Sequence, residues 1–253
     1  MNPPSLLELL KAGVHFGHQT GKWHPKMAPY IFAERNGIHV IDLEKTQVAL
    51  ETAGEFIQRI VAKGGVVLFV GTKAQAKGYV VAAATDCGMP HIAHRWLGGT
   101  LTNFPVILKL IKKYKDLTGK LETGGLRAYT KREQLEFQEE ADKLKVRIGG
   151  IAELKKIPDV VFIVDLKREK TALTEAKKKG LPIVAMCDTN VNPTGVQYII
   201  PANDDAAKSI ELITAWIASA VKAGQAEAEV ARQKQGEFAA PRPAPATSEA
   251  PAA

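Results

Sequence analysis

Short apolar runs that alternate with helical segments constrain the fold of this 253-residue chain more than any other feature. The runs cover residues 66–70, 160–164 and 183–187, and each is followed by Gly or Asp. A strand that is apolar at every position is buried on both faces, as in the middle of a parallel sheet. Residues 74–87 and 170–179 have helical spacing. The alternation predicts an α/β fold, a doubly wound parallel sheet with helices on both faces.

The segments around this sheet have local signals of their own. Ser5 and Glu8 form a capping box for a short first helix, and Asn36-Gly37 between two β-rich runs predicts a hairpin on a type I′ turn. Asp42 is placed to cap the next helix. After an edge-like strand over residues 198–200, we expect a long helix that runs through Val221.

Residues 105–157 break the strand–helix rhythm and predict an inserted element. The apolar positions of its second half step by four, three, four and three residues, the spacing of a coiled-coil seam; they are Phe137, Ala141, Leu144, Ile148 and Ile151. We predict an antiparallel helical hairpin between two strands. Because it is strongly charged outside the seam, we expect it to project rather than to cover the sheet.

These elements divide the chain into three parts. Residues 1–104 and 158–223 form the α/β domain, with the first helix and the β-hairpin as an N-terminal extension. Residues 105–157 form the inserted coiled-coil hairpin. Residues 224–253 are rich in Ala and Pro and are predicted to be a disordered tail.

The sequence lacks the motifs of the enzymes that use parallel α/β sheets. Gly71-Thr72-Lys73 follows the first apolar run, but neither a Gly-x-Gly-x-x-Gly nor a Walker pattern is present. There is no Gly-x-Ser-x-Gly elbow and no cysteine beside a histidine. Asp165 and Asp188 end buried strands, where they could be catalytic or could equally cap the next helix or turn. We predict no catalytic residue, no cofactor and no enzymatic activity.

The histidines at positions 15, 18, 24 and 39 have poor spacing for zinc, so no metal is predicted. One open alternative is a single cation held by His24 with Asp188, Asp204 or Asp205.

The expected compartment is the cytoplasm. Cys87 and Cys187 lie far apart without metal-ligand partners nearby and are predicted to be buried, reduced thiols. The N-terminus lacks a basic region followed by an apolar run, as a secretory signal would have. No stretch reaches the roughly 20 apolar residues that cross a bilayer.

Cations combined with planar and hydroxyl side chains recur along the chain and indicate RNA binding. The formal net charge of +7 favours a polyanionic partner. Guanidinium and ammonium groups neutralise phosphates, Trp stacks on bases, and Thr and Asn bind sugar oxygens. The predicted RNA-binding residues are Lys22, Trp23, Lys26, Arg35, Asn36, Lys73, Arg95, Trp96, Thr100, Asn103, Lys109, Lys113, Arg127, Lys131 and Arg132. Such a dispersed set reads the folded shape of an RNA. For the segment of residues 95–104 the alternative is a structural turn whose Trp96 packs on the core.

Several long motifs, in order, resemble the bacterial small-subunit ribosomal protein S-two family. They include residues 15–18 (HFGH), 69–73 (FVGTK), 95–103 (RWLGGTLTN), 188–190 (DTN) and 200–206 (IPANDDA). The resemblance covers about residues 6–221, and Ala202 stands where the family often has glycine.

The resemblance implies a flavodoxin-like domain with a protruding coiled-coil hairpin. It implies a place on the solvent side of the small subunit between head and body, in contact with rRNA helices of both. It further implies neighbouring small-subunit proteins as partners, among them the mRNA-binding protein S-one, which the family helps to recruit for initiation.

Two other functions compete with a structural rRNA-binding protein. A nucleotide-dependent enzyme would bind a free nucleotide at Gly71-Thr72-Lys73. A coiled-coil adaptor that binds only protein would lose every partner without residues 105–157, whereas Arg95→Ala and Trp96→Ala would have no effect.

Overall fold

The larger of two sheets has five parallel strands, and it confirms the predicted α/β fold. The computed structural model describes residues 3–126 and 129–238. In that part of the chain the strands are β1 (Phe16–Gln19), β2 (Ile31–Arg35), β3 (Ile38–Ile41), β4 (Val67–Val70), β5 (His91–Ile92), β6 (Val160–Ile163), β7 (Ile183–Cys187) and β8 (Tyr198–Pro201). The order β5-β4-β6-β7-β8 is the 2-1-3-4-5 order of flavodoxin-like folds.

Helices cover both faces of this sheet. They are α1 (Leu6–Lys11), α2 (Leu43–Ala62), α3 (Ala74–Asp86), α4 (Phe104–Glu122), α5 (Lys131–Ile148), α6 (Lys170–Lys178) and α7 (Ala207–Phe238). Phe69 and Phe162 point to the face packed by α2, α3 and α7. Leu68 and Val161 point to the opposite face, where the ends of α4 and α5 nearest the sheet and helix α6 pack. Because alternate residues of each strand enter different cores, the strands are apolar throughout.

The smaller sheet is antiparallel, with the order β1-β3-β2. Its β2–β3 hairpin confirms the predicted turn, since Asn36 and Gly37 have φ angles of 53° and 71° and Arg35 pairs with Ile38. Strand β1 was not predicted, because its four residues, Phe-Gly-His-Gln, lack an alternating apolar pattern. Two short 3-10 helices, Thr20–Lys22 and Pro25–Tyr30, follow β1.

Helices α4 and α5 lie between β5 and β6 in the chain and pack against each other. Ile107, Ile111 and Ile148 are buried in the core beside the sheet, so this end of the pair covers the sheet, contrary to the sequence-based expectation. Farther along, Lys113 forms an ion pair with Glu140. Projection of the outer ends and a coiled-coil seam stay predictions.

The predicted start of the C-terminal disordered tail is wrong, because helix α7 extends into this region. It continues to Phe238, whereas the sequence predicted disorder from residue 224. Residues 224–238 are mostly helix formers, and the first proline after them is Pro241. The Gln225 side chain donates a hydrogen bond to the carbonyl of Cys87 at 2.8 Å, which fixes this turn of the helix to the end of α3. The rest of the predicted tail, residues 239–253, lies outside the described residues.

Both cysteines are free and buried, as the sequence predicted. Over residues 3–126 and 129–238, no helix is both long enough and apolar enough to cross a membrane.

Candidate nucleic-acid interface

Five of the predicted RNA-binding residues lie on the N-terminal sheet and its 3-10 helices, and all five are exposed. We call them the N-terminal cluster: Lys22, Trp23, Lys26, Arg35 and Asn36. The amide of Thr20 donates to the carbonyl of Gly37 at 3.0 Å, which brings the first 3-10 helix beside the β2–β3 turn. The cluster therefore presents cations, an indole ring and an amide on neighbouring segments.

Trp23 is the aromatic group of this cluster. Its side chain is 41% exposed, and its ring is tilted by 52° against His39, with centroids 5.3 Å apart. A partly exposed indole ring held by a neighbouring ring suits stacking with an RNA base.

Contacts with the β7–β8 side of the large sheet hold the N-terminal sheet in place. The amide of His18 donates to Oγ1 of Thr189 at 2.9 Å, and the amide of His24 donates to the carbonyl of Thr189 at 2.8 Å. A Cβ at Gly17 would lie 2.7 Å from the Thr189 methyl and 2.9 Å from the carbonyl of His39. Only glycine fits this close approach of β1 to the loop after β7.

His18 also joins the two sheets through its ring. Its Nδ1 lies 3.1 Å from Oδ2 of the buried Asp188, and its Nε2 lies 3.4 Å from Oδ2 of Asp205. The hydrogen bond with Asp188 raises the pKa of His18 above its ordinary value, and the charges of Asp188, Asp204 and Asp205 act in the same direction. The ring therefore bridges β1 to the carboxyl ends of β7 and β8.

Lys73 is buried at the same edge of the sheet, which corrects its prediction as an RNA ligand. Its Nζ lies 2.8 Å from Oδ1 of Asp204, 2.6 Å from Oδ1 of Asp205 and 3.5 Å from Oδ2 of Asp165. The carbonyl of Asp204 accepts a further bond from it at 2.7 Å. With its donors occupied by protein oxygens, Lys73 has none to offer a phosphate. The same contacts argue against a nucleotide site at Gly71-Thr72-Lys73.

Burial and crowding change the acidity of this group of charges. Burial lowers the pKa of Lys73, but hydrogen bonds with Asp204 and Asp205 outweigh it, so the pKa lies above the ordinary value. Burial, together with the charges of Asp165 and Asp188, raises the pKa of Asp204 to about 7. The contacts of Lys73 with these carboxylates fasten the ends of β4, β6 and β8 together.

The loop from His94 to Asn103, which we call the Arg95 loop, folds around one carboxylate. Oε1 of Glu175 accepts from Nε1 of Trp96 at 3.0 Å and from the amide of Gly99 at 2.8 Å. Oε2 accepts from the amides of Leu101 and Thr102 at 2.9 and 3.1 Å. Burial raises the pKa of Glu175, but these hydrogen bonds outweigh it and the pKa is lowered.

This arrangement corrects the prediction for two residues of the loop. Trp96 is only 8% exposed and packs in the core, and Thr100 is buried with its hydroxyl donating to the carbonyl of Leu97 at 2.6 Å. Neither can stack on a base or bind a sugar. Arg95 and Asn103 are exposed, so the loop presents a guanidinium and an amide.

The remaining predicted residues belong to α4, α5 and the segment between them. Lys109, Lys113, Lys131 and Arg132 are exposed, away from the N-terminal cluster along the chain. Lys113 forms an ion pair with Glu140 and Arg132 with Glu136, and these carboxylates neutralise part of the positive charge. Arg127 lies outside the described residues.

The alternative in which a cation is held by His24 and the aspartates placed the wrong histidine beside these aspartates. Nδ1 of His24 accepts from the amide of Lys26 at 3.2 Å and caps the second 3-10 helix, whereas His18 contacts Asp188 and Asp205. Within the described ranges, no group of three or more His, Cys, Asp or Glu side chains is arranged to hold a metal ion.

Asp165 and Asp188 both accept hydrogen bonds from backbone amides that follow them in the chain. Oδ1 of Asp165 accepts from the amide of Arg168 at 3.0 Å in the turn before α6. Oδ1 of Asp188 accepts from the amide of Thr189. His18 and Glu175 were not among the predicted functional residues. The only sequence signal for His18 was its place in the HFGH motif, and Glu175 had none.

Comparison with known protein families identifies the chain. The family described as ribosomal protein S2 matches residues 9–224 of the 253. The match includes both sheets, the Arg95 loop and helices α2 to α6. The family is structural rather than enzymatic, and its proteins associate with rRNA and other ribosomal proteins. This chain therefore belongs to the ribosomal protein S2 family and is a structural protein of the small ribosomal subunit.

Proposed function

We propose that this protein binds small-subunit rRNA between the head and the body, and that it supports docking of the mRNA-binding protein S-one in the cytoplasm. The observation that carries the RNA contact is the N-terminal cluster. Two segments that the sequence separates, residues 20–26 and 35–37, meet where the amide of Thr20 donates to the carbonyl of Gly37, and together they expose three cations and Trp23. Phosphates would contact Lys22, Lys26 and Arg35, and a base would stack on Trp23.

Arg95, Asn103, Lys109, Lys113, Lys131 and Arg132 are further contacts in this proposal. Because Lys73, Trp96 and Thr100 are buried, they act by holding the sheet edge and the Arg95 loop in shape.

A charge-matched pair of variants tests the RNA contact. In Lys22→Gln/Arg35→Gln the cluster loses two cations, and we expect the protein to leave small subunits at lower salt than the wild type in sedimentation. The control Arg59→Gln/Lys63→Gln removes two exposed cations from α2 and its C-terminal cap. Equal salt sensitivity of the two variants would refute the assignment of RNA binding to this cluster.

An exposed apolar groove supports the docking of S-one. It lies between α1 and the N-terminal sheet, has a volume of about 480 Å³, and is lined by Leu6, Leu7, Leu10, Phe32 and Val40 among others. Phe32 is 75% exposed. Exposed apolar patches mark protein interfaces, and a phosphate backbone gains nothing from them. A protein with an apolar helix face or aromatic side chains fits this groove.

The groove is tested with purified S-one and small subunits that lack it. We expect Phe32→Ser/Leu10→Ser to reduce S-one occupancy about tenfold, from the loss of two apolar contacts, while this protein stays on the particle. Val48→Ser removes an exposed apolar side chain of α2 outside this groove and is the control. Unchanged S-one occupancy in the double variant would eliminate the groove as its docking site.

A further inference from the structure

Helix α6 and the residues on either side of it expose cations and no acid. The exposed side chains between residues 167 and 179 are Lys167, Arg168, Lys170, Thr171, Thr174, Lys177, Lys178 and Lys179. We call the six basic ones the α6 cation face. None of them was among the predicted RNA-binding residues.

The two acids of this segment point inward. Glu169 is buried and accepts from the amide and the hydroxyl of Thr72, and Glu175 accepts the donors of the Arg95 loop. The helix therefore uses its carboxylates to hold two loops of the sheet edge. Its outward side keeps the uncompensated positive charge.

Most of these cations are available to a partner. Arg168 donates through Nε to Oγ1 of Thr72 at 3.1 Å, and Lys177 donates to the carbonyl of Thr194. In the part of the chain that the structure describes, Lys170, Lys178 and Lys179 have no side-chain hydrogen bond or ion pair. Lys167 helps to lower the pKa of Asp205.

We propose that the α6 cation face is a second rRNA-binding surface, which contacts the phosphate backbone. This inference rests on the proposed function. The rest of the exposed face is Thr171, Thr174 and Gly180, without an apolar or aromatic side chain. Protein interfaces depend on such side chains at their centre, and membrane-surface helices need an apolar face. Cations at both ends of α6, which is roughly 13 Å long, suit phosphates of a nucleic-acid backbone.

The face is placed to act together with the Arg95 loop. Glu175 of α6 holds the loop that exposes Arg95, and Arg168 contacts Thr72 at the end of β4. An RNA strand along α6 would therefore continue onto the carboxyl edge of the sheet.

The test uses the full chain and deproteinised small-subunit rRNA in filter binding over a range of salt. Lys170→Gln/Lys178→Gln/Lys179→Gln removes three cations and keeps the helix propensity. We expect the slope of log affinity against log salt to fall by about one per lost contact. At about 0.15 M salt we expect roughly tenfold weaker binding. Lys11→Gln/Lys63→Gln/Lys155→Gln removes three exposed lysines from other surfaces and is the control.

Each result has a separate meaning. A slope that falls in the first variant but not in the control supports the α6 cation face. If the wild type binds tightly and the slope of the first variant is unchanged, this inference alone is overturned. If the wild type does not bind, the proposed function is overturned as well. Normal binding to bare rRNA with poor incorporation into particles would indicate an acidic protein partner and would also overturn it.

Discussion

Glu175 shows how much of the Arg95 loop depends on one side chain. Its two oxygens accept from Trp96, Gly99, Leu101 and Thr102, and three of these four donors are backbone amides. The carboxylate lets a glycine-rich segment keep one conformation with its exposed Arg95 at a fixed place. The residue is thus structural: it holds the loop in shape.

Glu175→Gln tests this role. The amide retains one acceptor oxygen and turns its NH₂ toward donors, so at least one amide of the loop loses its partner. We expect the free energy of unfolding to fall by about 2 kcal/mol in urea titrations followed by circular dichroism. Thr174→Ala, an exposed change on the same helix, is the control. A loss below about 0.5 kcal/mol would mean that the loop does not depend on this carboxylate.

The charges at the sheet edge predict how stability depends on pH. The pKa of His18 is raised above 6.5 in the folded protein, so its contribution is present below that pH and is lost as pH rises through the folded pKa. The pKa of Asp204 is raised from 3.8 to about 7, so the folded state holds a proton that the unfolded state releases. Stability from this group also falls as pH rises toward 7.

Both groups act in the same direction: we expect the free energy of unfolding to decrease from about pH 5 to pH 7 through Asp204, and to decrease further above pH 6.5 through His18. In His18→Gln, which removes one of the two groups, the decrease should be smaller. Urea unfolding at a series of pH values gives the comparison. Stability that rises over this interval in the wild type would contradict the assigned pKa directions.

The exposed members of the site were easier to predict than the buried ones. Lys22, Trp23 and Arg35 are exposed, as charged and amphipathic side chains commonly are. Lys73 and Trp96 had the right chemistry for RNA, but their partners Asp204 and Glu175 are 131 and 79 residues away in the chain. No local pattern predicts such a pairing, so the sequence could not separate a ligand from a buried donor.

At the scale of elements, the central strands of the parallel sheet were predictable from the sequence, whereas strand β1 and the end of helix α7 were not. Apolar runs with helices between them predict β4, β6 and β7 because these strands are buried on both faces. Strand β1 has no such pattern and depends on pairing with β3. The continuation of α7 depends on contacts of Gln225 with the end of α3, which composition alone does not reveal.

Within helices α4 and α5, the residues near the sheet should contribute more to the free energy of unfolding than the residues farther from it. Ile107 and Ile148 are buried beside the sheet, whereas Leu135 is 60% exposed. We expect Ile107→Ala and Ile148→Ala each to lower the free energy of unfolding by about 2–5 kcal/mol, because each leaves a cavity. Leu135→Ala should cost less than about 0.5 kcal/mol. Equal costs at the three positions in urea titrations would show that the core does not extend into these helices.

At the scale of the whole molecule, the protein is a scaffold that presents several surfaces. At the carboxyl edge of the sheet, Lys73 and His18 form ion pairs with the aspartates that follow the strands. Cations are exposed on the N-terminal cluster and on the α6 cation face, and apolar side chains are exposed beside α1. This separation fits a protein that binds RNA through some surfaces and a protein partner through another.

The most direct test of this account is the surroundings of Trp23 in an experimental structure of the small subunit that carries this protein. We predict an rRNA base stacked on the indole ring, at about 3.5–4 Å, with phosphates beside Lys22 and Arg35. A particle in which Trp23 and both cations face solvent or another protein would contradict the central claim that this cluster binds rRNA.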